Sequence, residues 1–269
     1  IINMNYVIYD LETNGINVVD NSIMQMTMLG TDGTILLNEY VYPFDGIIAA
    51  TEIHKIDEKK LKESNALTLD QLVQKVKDVI REVYGRKDVV FVAYNNFGFD
   101  QIVLERGFKL VNHKMPVNWY FMDVMPLIKN KFPDLKPNYK LATVYENLIK
   151  TKKNEEINYN NSLDDCMCLL EIFVKCYDFY DDFNKYTRNQ LSSAFIFEER
   201  LTKLLYYDKR MNFEFHGIKN IGDLYQLFKV HNFDVKEFQE YIKTKFEVKN
   251  GFYVKVMTNQ INGIHELIK

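Results

Sequence analysis

The stretch Tyr6-Val7-Ile8-Tyr9-Asp10-Leu11-Glu12-Thr13-Asn14-Gly15 restricts the fold of this chain more than any other. Its β-branched and aromatic residues predict a strand, and alternate strand residues share a face, so Asp10 and Glu12 point the same way. Two carboxylates that close repel unless one is protonated or a cation lies beside them. Oxygen ligands without sulfur suit Mg²⁺ or Mn²⁺. The bland reading of a lone Asp-x-Glu is a solvated strand end, and only partners elsewhere in the chain overturn it.

A chain of 269 residues accommodates one large domain or a domain with an appendage, and it is long enough to bury a sizeable core. Its 19 Phe and 18 Tyr are unusually many, and such rings either fill a core or stack bases. A net charge of −3 provides no overall basic field, so any nucleic-acid site must be local and metal-dependent. Cys166, Cys168 and Cys176 crowd into one apolar segment without a His at ligand spacing. They read as reduced core residues of a cytoplasmic protein rather than a disulfide or zinc framework. No apolar run approaches the roughly 20 residues of a membrane span, and no basic-then-apolar leader opens the chain. Ile rather than Met at position 1 implies a start that was trimmed, processed or replaced.

After the opening strand, residues 21–29 and 35–42 alternate as two further strands around the turn Thr31-Asp32-Gly33-Thr34. An irregular segment with Gly46 and His54 follows. Residues 69–84 carry apolar side chains at helical spacing, ended by Gly85. Val89-Val90-Phe91-Val92-Ala93-Tyr94 predicts a strand buried on both faces. It opens into Asn95-Asn96-Phe97-Gly98-Phe99-Asp100, and Asp100 stands where this strand hands over to a helix at 101–106, where ligands gather in open α/β sheets. A short strand at 121–125, a helical turn at 126–131 and helices at 140–148 and 160–176 complete this part, with Asp165 in the first turns of the last.

The ordered motifs Asp10-Leu11-Glu12-Thr13-x-Gly15, Val92-Ala93-Tyr94-Asn95-x-x-x-Phe99-Asp100-x-x-x-Leu104 and Asn160-x-Ser162-Leu163-x-Asp165-Cys166 resemble the DEDD (DnaQ-like) 3′-5′ exonuclease superfamily over roughly residues 5–180. Ile53-His54-Lys55-Ile56 is similar to an element between that family's motifs. The resemblance implies an RNase H-like α/β fold whose mixed sheet has three antiparallel strands followed by parallel additions. It also implies four metal-binding carboxylates, Asp10, Glu12, Asp100 and Asp165, holding two ions, Mg²⁺ or Mn²⁺. Two cations about 4 Å apart clamp a scissile phosphate. The implied activity is release of nucleoside monophosphates from the 3′ ends of single-stranded DNA or RNA.

On the substrate side, the resemblance implies that Leu11 offers an apolar wedge and Thr13 a backbone amide near the terminal nucleotide, with His54, Asn96 and Phe97 flanking the site. Each also has a plain packing reading, and Asp164 reads as a helix N-terminal charge suited to the dipole. The chain is nearest the branch with a His five positions before the last Asp, yet Asn160 stands there, and Asn161 occupies the position of the tyrosine branch. An asparagine side chain cannot accept a proton at neutral pH. Asn160 is therefore an engineered replacement of His, a native design in which the metal alone activates water, or a mark of a domain that binds without cutting.

Residues 184–269 read as an accessory α+β region with helical patterns at 190–207, 221–230 and 234–246 and a hairpin at 246–256, turned by Asn250-Gly251. Such a winged-helix-like module would contact nucleic acid through Lys243, Lys245, Lys249 and Lys255, or else a protein partner. The function expected is a metal-dependent 3′-5′ exonuclease, with a non-catalytic nucleic-acid- or protein-binding module as the alternative. Richness in Asn, Lys, Ile and Tyr fits an AT-rich viral or microbial genome.

Overall fold

The computed structural model describes residues 4–16, 18, 21–135, 137–149 and 161–191. The chain divides into two compact units, Ile1–Gln190 and Leu191–Lys269. The helices and hairpin expected beyond residue 191 lie outside the described residues, as does Asn160.

Among the described residues, six strands form one sheet in the order β3-β2-β1-β4-β5-β6. The apolar alternation of β1 (Asn5–Thr13), β2 (Ile23–Gly30) and β3 (Ile35–Tyr40) yields the antiparallel meander that the sequence predicts. The buried runs of β4 (Val89–Ala93) and β5 (Trp119–Asp123) then add in parallel beside β1, as strands covered on both faces must. β6 (Thr187–Arg188), which the sequence does not announce, pairs antiparallel with β5 through Phe121 and Met122. It lies beyond residue 183, where the accessory region was expected to begin.

Strand alternation assigns the two layers. Tyr6 and Ile8 on β1, with Val90, Val92 and Met122, pack against Val124, Leu127 and Ile128 of α5 (Val124–Lys131), Val144 of α6 (Leu141–Leu148), and Leu169, Ile172 and Phe173 of α7 (Ser162–Lys175). On the opposite face Tyr9, Phe91, Trp119 and Phe108 make a chain of ring contacts with centroids 4.7–5.8 Å apart. Phe108 belongs to α4 (Asp100–Leu110), which packs beside α3 (Leu69–Tyr84). α3 starts where its capping box allows: the Thr68 hydroxyl accepts from the Gln71 amide while the Gln71 side chain accepts from the Thr68 amide.

Two short helices, α1 (Thr51–His54) and α2 (Glu58–Glu63), bridge β3 and α3. Beyond α7 a 3-10 run, Cys176–Tyr186, returns the chain to β6 and buries Phe183 against Tyr6, Phe173, Tyr177 and Tyr180. Much of the aromatic excess is thus spent inside this core. Cys166, Cys168 and Cys176 are buried in it without a disulfide among them, as their apolar setting predicts. No helix among the described residues is long and apolar enough to cross a membrane.

Candidate metal and active site

Asp10 and Glu12 continue the even-numbered face of β1, the face on which Tyr6 and Ile8 meet α7. Because α7 crosses that face, Asp165 in its first turn meets them: one carboxylate oxygen from each of the three lies within 4.8 Å of the others. The start of α7 is pinned at several points. Asn161 caps it, its side-chain oxygen accepting from the Leu163 amide at 2.9 Å. The Ser162 hydroxyl lies 2.7 Å from that of Thr27, the residue paired with Asp10 across β1 and β2. Thr27 Oγ1 donates to Asn38 Oδ1 at 3.1 Å, so its single proton is committed and Ser162 is the donor between the two hydroxyls. The Cys166 thiol completes the seam, donating to the Thr27 carbonyl at 3.7 Å.

Asp100 arrives from the other layer. Asn95 leaves β4 in the left-handed region at φ 61°, which asparagine tolerates, and the Gly98 and Phe99 amides both bond back to its carbonyl at 3.0 Å. Gly98 fits because a Cβ there would lie 2.7 Å from Asn95 Oδ1. The turn delivers Asp100 as the first residue of α4. β1 outruns β4, whose last parallel pairing is Ile8 with Val92, and the Leu11 backbone beyond that point favours the charged form of Asp100.

These four carboxyls disfavour one another's ionisation. Burial pushes Asp10 up to about 7. Burial and then the charge of Asp10 take Glu12 to about 8. Asp165 rises to about 9 through burial and then the charges of Asp10, Glu12, Asp164 and Asp100. Asp100 is held well above the carboxylate range by burial and by Asp10, although the Leu11 amide opposes the rise. Asp165 Oδ1 is buried and accepts no hydrogen bond among the described residues. A bare buried oxygen within a cluster of hard anionic ligands fits a divalent cation, whose charge would relieve all four.

The remaining residues expected to face substrate are arranged less simply. His54 is buried, with Nε2 2.9 Å from the Ala49 carbonyl and Nδ1 accepting the Ile56 amide at 3.0 Å. Both ring nitrogens are consumed within its own loop, and burial lowers its pKa, so neither is left for a substrate. Asn96 is fully buried: it accepts from the Tyr9 hydroxyl at 2.5 Å and donates to the carbonyls of Phe91 and Met122. It ties three strands together rather than reaching into the site. Leu11 is 5% exposed and too enclosed for a wedge, and the Thr13 hydroxyl donates to the Gly15 carbonyl at 2.6 Å. Phe97 is half-buried at the turn tip.

Sequence reasoning missed Asp123. Buried at the end of β5, it caps α5 by accepting from the Met125 amide, and it also accepts from the Phe97 amide, both at 3.0 Å. An acidic residue between a strand and a helix was the available signal.

Carboxylates gathered beside the ends of β1 and β4, on a mixed sheet covered by helices on both faces, define the class: an exonuclease-like RNase H fold. The Exonuclease family, described by an RNase T-type model, matches residues 7–173, and the chain belongs to it, within the DnaQ-like DEDD superfamily. The chain is 24% identical over 180 residues to "Exonuclease DPD1, chloroplastic/mitochondrial" of Arabidopsis thaliana, covering 63% of this chain and 55% of that protein. In fold it is similar to E. coli exonuclease I. The zinc-bound complex with single-stranded DNA matches with a TM-score of 0.54 at 14% identity, over 68% of this chain and 42% of that one. The complex with a dT13 oligonucleotide gives 0.53 at 14%, over 66% and 43%. The chain therefore spans about half the length of these relatives.

Proposed function

We propose that this protein hydrolyses the terminal phosphodiester bond at the 3′ end of single-stranded DNA or RNA and releases nucleoside monophosphates, using Mg²⁺ or Mn²⁺. The convergence of Asp10, Glu12 and Asp165 within 4.8 Å, with Asp100 electrostatically joined to them, carries the reading. The single-stranded DNA and dT13 in the exonuclease I complexes support the choice of substrate.

Asp10, Glu12, Asp100 and Asp165 would hold the ions. Once bound, these supply positive charge at the scissile phosphate and lower the pKa of the attacking water. β1 and the pinned start of α7 supply rigid placement, so little reorganisation is required when the phosphate arrives. Asn160 contributes no general base, because its amide cannot take a proton. The unit Leu191–Lys269 serves as an accessory region that binds nucleic acid or a partner protein, in the cytoplasm.

The test uses single-stranded DNA and RNA oligonucleotides labelled at either end, with Mg²⁺, Mn²⁺ or a chelator. The expected outcome is chelator-sensitive release of mononucleotides from the 3′ label and a stepwise ladder from the 5′ label. Products that start from the 5′ end overturn the polarity, and absence of cutting with retained binding favours the non-catalytic module. Asn160→His then resolves the base: an increase of about 10²- to 10⁴-fold marks a site from which a general base was removed, and no increase marks a design that does without one.

A further inference from the structure

Phe97 sits at the tip of the turn that delivers Asp100, and its backbone is held from both sides. The Asp123 carboxylate accepts its N–H at 3.0 Å, and Arg188 Nη2 donates to its carbonyl at 3.2 Å. The Arg188 guanidinium also lies over the Phe97 ring, 3.9 Å from the centroid. Arg188 is oriented in turn: its Nε donates to Gln101 Oε1 at 2.7 Å, and Gln101 Nε2 donates to the Asn189 carbonyl at 3.1 Å and to Glu105 Oε1 at 2.7 Å. β6 fixes this segment against Phe121 of β5. Arg188 lies past residue 173, where the family match ends.

We propose that Phe97, clamped by Arg188, is a platform on which a nucleobase of the single-stranded substrate stacks at the turn that delivers Asp100. A half-buried ring at a turn tip ordinarily moves, whereas this one is fixed at its backbone and on one face. Guanidinium stacking removes rotamer freedom before any ligand arrives, which is the property a stacking surface needs. Bases stack on aromatic faces irrespective of sequence, and a site that shortens any chain from its end requires that tolerance. Phe97 is the substrate contact and Arg188 a positioning residue that acts through it.

The proposal rests on the exonuclease reading of the same site, so its test includes binding as well as cutting. Oligonucleotides carrying 2-aminopurine at one of the last three positions are titrated with full-length protein in Ca²⁺, and hydrolysis is followed separately in Mg²⁺. Wild-type protein is expected to quench one probe position by stacking. Phe97→Ala abolishes that quenching and weakens binding about tenfold, on the scale of one lost base–aromatic stack, while kcat stays within about twofold and KM rises. Phe97→Trp retains quenching, which keeps the test valid if the Ala variant folds poorly. Arg188→Ala reduces quenching and affinity, and the Phe97→Ala/Arg188→Ala double variant binds no worse than Phe97→Ala alone.

Wild-type quenching that persists in Phe97→Ala or Arg188→Ala, or additive losses in the double variant, overturns the platform while exonuclease activity stands. Quenching that follows this pattern without any hydrolysis upholds the platform and removes the exonuclease reading. Oligonucleotides that neither quench nor bind remove both.

Discussion

At Asp165 the local geometry opposes the isolated fold, because a buried carboxyl oxygen lacks a donor while neighbouring carboxylates press on it. Asp165→Asn keeps the shape, removes the charge and introduces a donor. It is expected to raise the unfolding midpoint of the metal-free protein while lowering chelator-sensitive hydrolysis by about 10²-fold or more, the scale of losing one charge-stabilising group. Loss of both stability and activity would show that Asp165 is structural. Asn96 has the opposite character. Asn96→Ala leaves the Tyr9 hydroxyl and the Phe91 and Met122 carbonyls without their partner, and it is expected to cost about 3 kcal/mol in urea unfolding. Asp10 and Glu12 were legible as a same-face pair because strand alternation fixes where a carboxylate points, whereas Asp100 and Asp165 joined them through the ordered motifs that resemble the DnaQ-like superfamily. The directions of Asn96 and His54 were not, since a turn sequence names the residues it contains and leaves their orientation to tertiary contacts.

Among the elements, the seam between β2 and α7 sets how Asp165 meets Asp10, and it is made of small polar groups. Thr27→Val retains the β-branched shape but deprives Ser162 of an acceptor and Asn38 of a donor. A loss of about 1–2 kcal/mol is expected, with a lower kcat and an unchanged KM, since the hydroxyl touches the start of α7 and no substrate. Adding Ser162→Ala should deepen the loss little, because both changes break the same bond. Lys59→Ala on the exposed face of α2, where the pair with Glu63 is open to water, should stay within about 0.5 kcal/mol. β4 and α3 were legible because a continuous apolar run and an amphipathic stripe have few alternative fates. β6 was not, because Thr187 and Arg188 carry no alternation, and their pairing depends on where the 3-10 run returns the chain. The placement of the start of α7 is likewise set by the contact of Ser162 with Thr27, 135 residues away in sequence.

For the molecule as a whole, the cluster couples folding to pH and to metal with a sign that can be worked out. Asp10 at about 7, Glu12 at about 8 and Asp165 at about 9 lie above the roughly 4 of a carboxyl in an unfolded chain. Between those limits the folded protein retains protons that the unfolded chain has released, so the metal-free protein loses stability as pH rises through that range. A divalent cation reverses the trend, because it binds the ionised carboxylates and displaces the protons that the folded state would otherwise keep. Calorimetric melts from pH 5 to 9 should therefore show Tm falling in chelator, with Mg²⁺ raising Tm by an increment that grows with pH. Asp165→Asn should flatten the fall in chelator, since it removes the carboxyl with the highest of these values. Proton release on Mg²⁺ addition, read as heats that differ between buffers of different ionisation enthalpy, should accompany the shift near pH 7. A metal-free Tm that climbs with pH across this window would mean that the carboxylates do not confront one another in solution, and the ion-binding role of the cluster would fall with it.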